Sequence, residues 1–148
     1  EDSGYSKQQS TRPQTLGYGL ADSPSGQGMW ILEKFWRWTD CDGHPENVLT
    51  RDELIDNIML YWLNNTGASS GRLYWESFGA FGGDEKIEVP TGCSIFPKEI
   101  VPTPRSWAEQ RFGNIVYWNE LDKGGHFAAF EQPDLFVNEL RNCFGPMR

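Results

Sequence analysis

The second half of this chain alternates short β-type runs with helical ones, and no other feature restricts the fold as much. Ile87-Glu88-Val89 followed by Cys93-Ser94-Ile95-Phe96 reads as a strand interrupted at Pro90-Thr91-Gly92. Thr103-Pro104 opens a short helix that reaches Phe112 and stops at Gly113. Ile115–Trp118 reads as the next strand. Pro133 to Phe144 reads as a closing helix, with Leu135, Phe136, Leu140 and Phe144 turned inward. Strand–helix–strand–helix over residues ~86–146 predicts an α/β sheet.

The first half carries a different period. Residues 1–22 are polar and Gly-rich and read as loop or a short turn of helix. Ser23-Pro24 supplies an N-cap and an N1 proline for a helix running through Trp38. That helix carries Met29, Trp30, Ile31, Leu32, Phe35, Trp36 and Trp38, apolar on more than one face, which predicts burial or a cavity wall. Residues 39–49 form a polar loop, and Thr50-Arg51-Asp52-Glu53 is a capping box. The helix after it shows a 3.6-residue stripe of Leu54, Ile55, Ile58, Met59, Trp62 and Leu63, and it stops near Asn64-Asn65-Thr66-Gly67. A short helix from Leu73 precedes a glycine-rich break at Gly79, Gly82 and Gly83. The chain therefore divides into a helical part, 1–80, and an α/β part, 81–148.

Composition narrows the partners. A net charge of −8 argues against nucleic acid and anionic membranes. No run approaches the ~18–20 apolar residues of a membrane span. Cys41, Cys93 and Cys143 are far apart, odd in number and without CxxC spacing, so no metal site, redox pair or cofactor is predicted. Idle thiols and no visible secretory signal give the cytoplasm as the expected compartment. Seven tryptophans suit a thick core or a ring-lined cavity; Trp30, Trp36 and Trp62, with Trp38, are candidates to line an apolar pocket.

The chemistry centres on His126, one of two histidines. It follows Gly124-Gly125 just past a strand end, where ligands bind in open α/β sheets, so it is the candidate general base. Such a base needs an orienting acid, and Glu99, Glu120 and Asp122 are within sequence reach. The sheet argument favours Glu99, which follows the end of the preceding strand. Gly67-Ala68-Ser69-Ser70-Gly71 also matches G-x-S-x-G, which would make Ser69 a serine-esterase nucleophile. That motif needs a strand before it, and here a helix precedes it, so a loop of small residues is expected instead.

Beside these readings, the chain resembles a known family. The matching stretches include Gly4-Tyr5-Ser6, Leu20-Ala21-Asp22-Ser23-Pro24, Met59-Leu60-Tyr61-Trp62, Val89-Pro90-Thr91-Gly92, Ile95-Phe96-Pro97-Lys98-Glu99 and Gly124 to Pro133. In this order they are similar to the C-terminal part of the microsomal-type epoxide hydrolases, an α/β-hydrolase fold with a helical cap. The resemblance implies that 1–80 is cap (lid) and 81–148 the end of the hydrolase core. It implies His126 as catalytic base, Glu99 as its acid, and Tyr5 and Tyr74 as cap tyrosines that polarise an epoxide oxygen. The implied reaction converts a small hydrophobic epoxide and water to a vicinal diol through an aspartyl ester. The family's nucleophilic aspartate and its His-Gly-x-Pro oxyanion segment have no counterpart in this sequence. The nucleophile is therefore expected on an N-terminal part or partner chain. A non-catalytic ligand-binding fragment is the remaining alternative.

Overall fold

The computed structural model describes residues 3–77 and 85–147. The expected glycine-rich break at Gly79, Gly82 and Gly83, and the 80/81 boundary with it, lie outside the described residues. Two compact units emerge. One comprises Glu1–Glu33 and Arg51–Gly83, the other Lys34–Thr50 and Asp84–Arg148.

The first unit is helical. Its elements are α1 (Gly4–Thr11), α2 (Pro13–Asp22), the first part of α3 (Pro24–Trp38), α4 (Arg51–Leu63) and α5 (Gly67–Ser77). Residues 1–22, expected as loop or a short turn of helix, thus hold two helices. Arg12 separates them at φ −143°, ψ 62°, because a residue before proline is pushed out of the helical region, and Pro13 then starts α2 at N1. The sequence pattern hid these helices because their buried face is Ser6, Gln9, Gly17 and Leu20, which carries little hydrophobic periodicity. That face packs on small residues of α5. A Cβ on Gly17 would lie 2.7 Å from Ala68 Cβ, one on Gly67 would strike Gln27 Oε1, and one on Gly71 would sit 3.6 Å from Gln9 and Pro13.

Local signals account for the remaining boundaries. Ser23 Oγ accepts from Gly26 N at 3.0 Å and caps α3. Asn65 takes φ +50° after α4, the left-handed conformation asparagine tolerates at a helix end. Burial differs from expectation on both helices. In α3 the buried residues are Gln27, Phe35 and Trp38, while Met29 and Trp36 are exposed. In α4 Leu54 is buried, whereas Ile55 and Leu63 are exposed.

The second unit is built around a parallel pair, β1 (Thr91–Ile95) and β2 (Ile115–Glu120), joined through α6 (Arg105–Arg111). A parallel pair requires such a crossover. Ser94 stands opposite Asn119 and Ile95 opposite Glu120. Single bridges extend the alignment at Ile87–Phe112 and Lys98–Gly125. Ile87 is thus a bridge residue rather than the start of β1. The unit closes with α7 (Ala128–Glu131) and α8 (Pro133–Phe144), whose N1 residue is Pro133.

Leu140 and Phe144, expected inward on α8, are exposed; Glu139 and Cys143 hold the buried positions. Glu139 is inward because it satisfies three donors from the strands. Its Oε2 accepts from Ser94 Oγ at 2.8 Å and Tyr117 OH at 3.0 Å, and its Oε1 from Asn119 Nδ2 at 2.9 Å. Cys143 Sγ fills the space beside Gly92, and Cys41 is also buried. All three cysteines are free. Burial, then the neighbouring Cys143, raises the Cys93 thiol above its ordinary pKa, with Arg105 opposing. Among the described residues no helix is long and apolar enough to cross a membrane.

Candidate active site

The β1–β2 alignment decides where the two central side chains meet. The ladder continues past both strand ends, with Lys98 N donating to Gly124 O at 3.1 Å. Each chain then turns, and the next residues, Glu99 and His126, project from the same rim. Glu99 Oε1 lies 2.7 Å from His126 Nδ1. The same oxygen accepts from Ile100 N at 2.7 Å, which fixes the carboxylate against its own loop. The other sequence candidates point elsewhere. Glu120 accepts from Trp118 Nε1 at 3.2 Å, and Asp122 is exposed.

Because a carboxylate only accepts, Nδ1–H donates to Glu99, and Nε2 is left to take a proton. The two side chains are 37% and 36% exposed, so water screens their attraction and the contact matters for orientation more than for stability. The ring is further held edge-on by Trp38 (centroids 5.4 Å apart, 77°) and Phe127 (5.2 Å, 71°).

Backbone geometry sets the direction of His126. Gly124 takes φ +109°, a region costly for any residue with a Cβ. A Cβ on Gly125 would strike Trp38 O, so the loop lies directly on the 38–40 backbone. His126 N donates to Trp38 O at 2.8 Å, and Gly124 N donates to Asp40 Oδ2 at 3.0 Å. Glu131, buried in α7, accepts from Asp40 N, Gly125 N and Phe127 N at 2.8, 3.1 and 3.1 Å. Sequence reasoning missed Asp40 and Glu131. The available signal was an acid five residues beyond a Gly-Gly-His turn.

His126 and Glu99 line a cavity of about 430 Å³ whose other walls are Phe96, Gly125, Phe127, Ala128, Ala129, Phe130 and Phe136. It presents one histidine–carboxylate pair in an apolar, aromatic setting. No tryptophan is among these walls. Trp36, in this unit, is exposed and packs its ring edge-on to His44 at 4.7 Å. Trp30 and Trp62 are half-buried in the helical unit.

Also within the helical unit, Tyr5 and Tyr74, 69 positions apart in sequence by their numbers, have rings 5.9 Å apart at 81°. The expected loop around Ser69 is instead the start of α5. Ser69 Oγ donates back to Thr66 O at 3.1 Å, and no strand–elbow–helix surrounds it. Its small residues serve packing against α1 and α2, which removes the serine-nucleophile reading.

Known proteins resemble the chain along nearly its whole length. A Stigmatella aurantiaca (strain DW4/3-1) protein assigned to the epoxide hydrolases is 58% identical over 146 residues, covering 99% of this chain and 33% of that protein. Epoxide hydrolase 1 of Sus scrofa is 39% identical over 155 residues, covering 97% of this chain and 34% of its own. The crystal structure of juvenile hormone epoxide hydrolase from the silkworm Bombyx mori superimposes with a TM-score of 0.90 at 35% identity, covering 98% of this chain and 37% of that one. No protein-family model matches the chain.

Fold and site together define the class as the α/β-hydrolase fold, represented by its last strands and helices with helical segments before them. Within that class its homologues are epoxide hydrolases, and the chain corresponds to their C-terminal part. It spans about a third of the length of the relatives it matches.

Proposed function

We propose that this chain supplies the base half of an epoxide hydrolase, which converts a hydrophobic epoxide and water to a vicinal diol. The observation that carries this reading is the 2.7 Å contact between His126 Nδ1 and Glu99 in an aromatic cavity at parallel strand ends. In the proposed cycle an aspartate carboxylate attacks one epoxide carbon, the C–O bond breaks, and an ester forms. That aspartate comes from an N-terminal segment or partner chain beyond the stretch shared here, consistent with coverage of about a third of the relatives.

His126 Nε2 then takes a proton from water, and the resulting hydroxide attacks the ester. Glu99 holds the tautomer that leaves Nε2 basic and stabilises the imidazolium that forms. Tyr5 and Tyr74 are proposed as donors to the epoxide oxygen as its charge develops, supported by their contact in a unit proposed to be the cap. The four phenylalanines of the cavity, rather than the tryptophans, are proposed to hold the substrate's apolar part. Three free cysteines support a cytoplasmic setting.

The test is His126→Ala in the assembled enzyme with styrene oxide as probe. Single-turnover alkylation should persist, ester should accumulate, and steady-state turnover should fall by ~10²–10⁴-fold. Loss of alkylation together with hydrolysis would remove His126 from the role of base.

A further inference from the structure

Glu131 is 6% exposed, and its carboxylate oxygens accept from three backbone N–H groups. A carboxylate taken out of water is costly unless such charge-assisted bonds replace its hydration. The placement of the three donors is informative. Gly125 and Phe127 flank His126 in sequence, and Asp40 lies on the segment that already accepts from His126 N through Trp38 O. The peptide before the His126 Cα is thus tied to Trp38, and the peptide after it to Glu131. With both planes fixed, the Cα–Cβ direction of His126 is fixed, and Glu99 has only the ring rotation left to set.

We infer that Glu131 is a positioning residue for His126: its carboxylate clamps Gly125, Phe127 and Asp40 so that the imidazole meets the water it deprotonates. This inference rests on the reading of His126 as the base. It makes Glu131 specific to one half of the reaction. Ester formation does not use His126, so that step should not depend on Glu131. A glutamine there can offer its carbonyl to one side of the clamp, but its NH2 then faces an N–H donor on the other. At least one loop N–H loses its acceptor, and the loop must shift. Misplacement of a catalytic group by ~1 Å can cost ~10²-fold in rate.

The experiment measures alkylation and ester hydrolysis separately, by single-turnover rapid quench with styrene oxide, in the full enzyme. Wild type, Glu131→Gln, Glu131→Asp and His126→Ala are compared. Glu131→Gln should slow hydrolysis by ~10–100-fold with alkylation unchanged. Glu131→Asp keeps the charge but shortens the reach, and should slow hydrolysis less; it also provides the measurement if the glutamine variant does not fold. Equal slowing of both steps in every soluble Glu131 variant would make the residue merely structural and overturn the inference. Hydrolysis at the wild-type rate in the Glu131 variants, with His126→Ala blocked, would overturn it while leaving the base assignment standing. Normal hydrolysis in His126→Ala would overturn both.

Discussion

The helical unit and the α/β unit bring backbones close by opposite means. In the first, side chains are removed: Gly17, Gly67 and Gly71 let helices α1, α2, α3 and α5 approach until a single methyl group would collide or touch. In the second, acids are buried: Glu131 and Glu139 each collect three donors that the approach would otherwise strand. The difference follows from the elements. Helices satisfy their own N–H and C=O groups internally, so their approach is limited by volume. A loop laid on another backbone, or a helix laid on polar strand residues, leaves donors without acceptors, so its limit is hydrogen bonding. Gly125 meets both limits, lying against Trp38 O while donating to Glu131.

The sharpest way to break this comparison is to treat the acids as filler. Glu139→Ala leaves the half-buried donors of Ser94, Tyr117 and Asn119 without their acceptor, and should destabilise the protein by about 1–3 kcal/mol, the expected scale for leaving donors unsatisfied. Glu139→Gln, which keeps volume and one acceptor, should cost less. Urea midpoints of the two variants check this. Equal losses would mean that volume, not hydrogen bonding, governs the α/β unit.

The converse holds in the helical unit. Gly17→Ala places a methyl 2.7 Å from Ala68 Cβ, an atom fixed to backbone, so α2 and α5 must part. Overpacking of this kind costs about 1–3 kcal/mol. Gly19→Ala, two residues along the same helix and with nothing within 4 Å of its Cβ, should instead stabilise by about 0.5–1 kcal/mol through helix propensity. Thermal midpoints of this pair should move in opposite directions. Movement in the same direction would remove close packing as the organising constraint.

The same contrast explains what the sequence could show. The β1–α6–β2 order and the His126–Glu99 pairing were legible because strand ends and glycine turns are local signals, and parallel alignment brings successive strand ends to one rim. The α3, α4 and α8 starts were legible from Ser23-Pro24, Thr50 and Pro133. Glu131 and Glu139 were not, because an acid in a helix reads as solvated until the donors around it are known: those of Glu139 lie 20 to 45 positions away, and Glu131 joins two donors of its own turn to Asp40 N, 91 positions away. Helices α1 and α2 were missed for a related reason. Their packing uses glycine, serine and glutamine, and hydropathy assigns such a face to solvent. The grouping of Lys34–Thr50 with the C-terminal part likewise rests on long-range bonds, from Asp40 N to Glu131 and from Gly124 N to Asp40.

The finest distinction between the units is electrostatic, since a buried acid acts through charge as well as shape. Burial first, then the hydrogen bond and charge of Glu139, push the Tyr117 phenol above its ordinary value near 10. The folded protein therefore holds that proton more tightly than the unfolded chain does. The associated stability is complete below pH ~10 and is lost as pH climbs through the raised value, because only the unfolded phenol ionises freely. Alkaline titration of tyrosinate absorbance, read as the difference between the protein and its Tyr117→Phe variant, should show the high midpoint. Glu139→Gln removes the charge while retaining the side chain's size, so the midpoint should fall toward the ordinary value. An unmoved midpoint would mean that burial alone raises Tyr117, and that Glu139 serves this unit as shape, much as glycine serves the helical one.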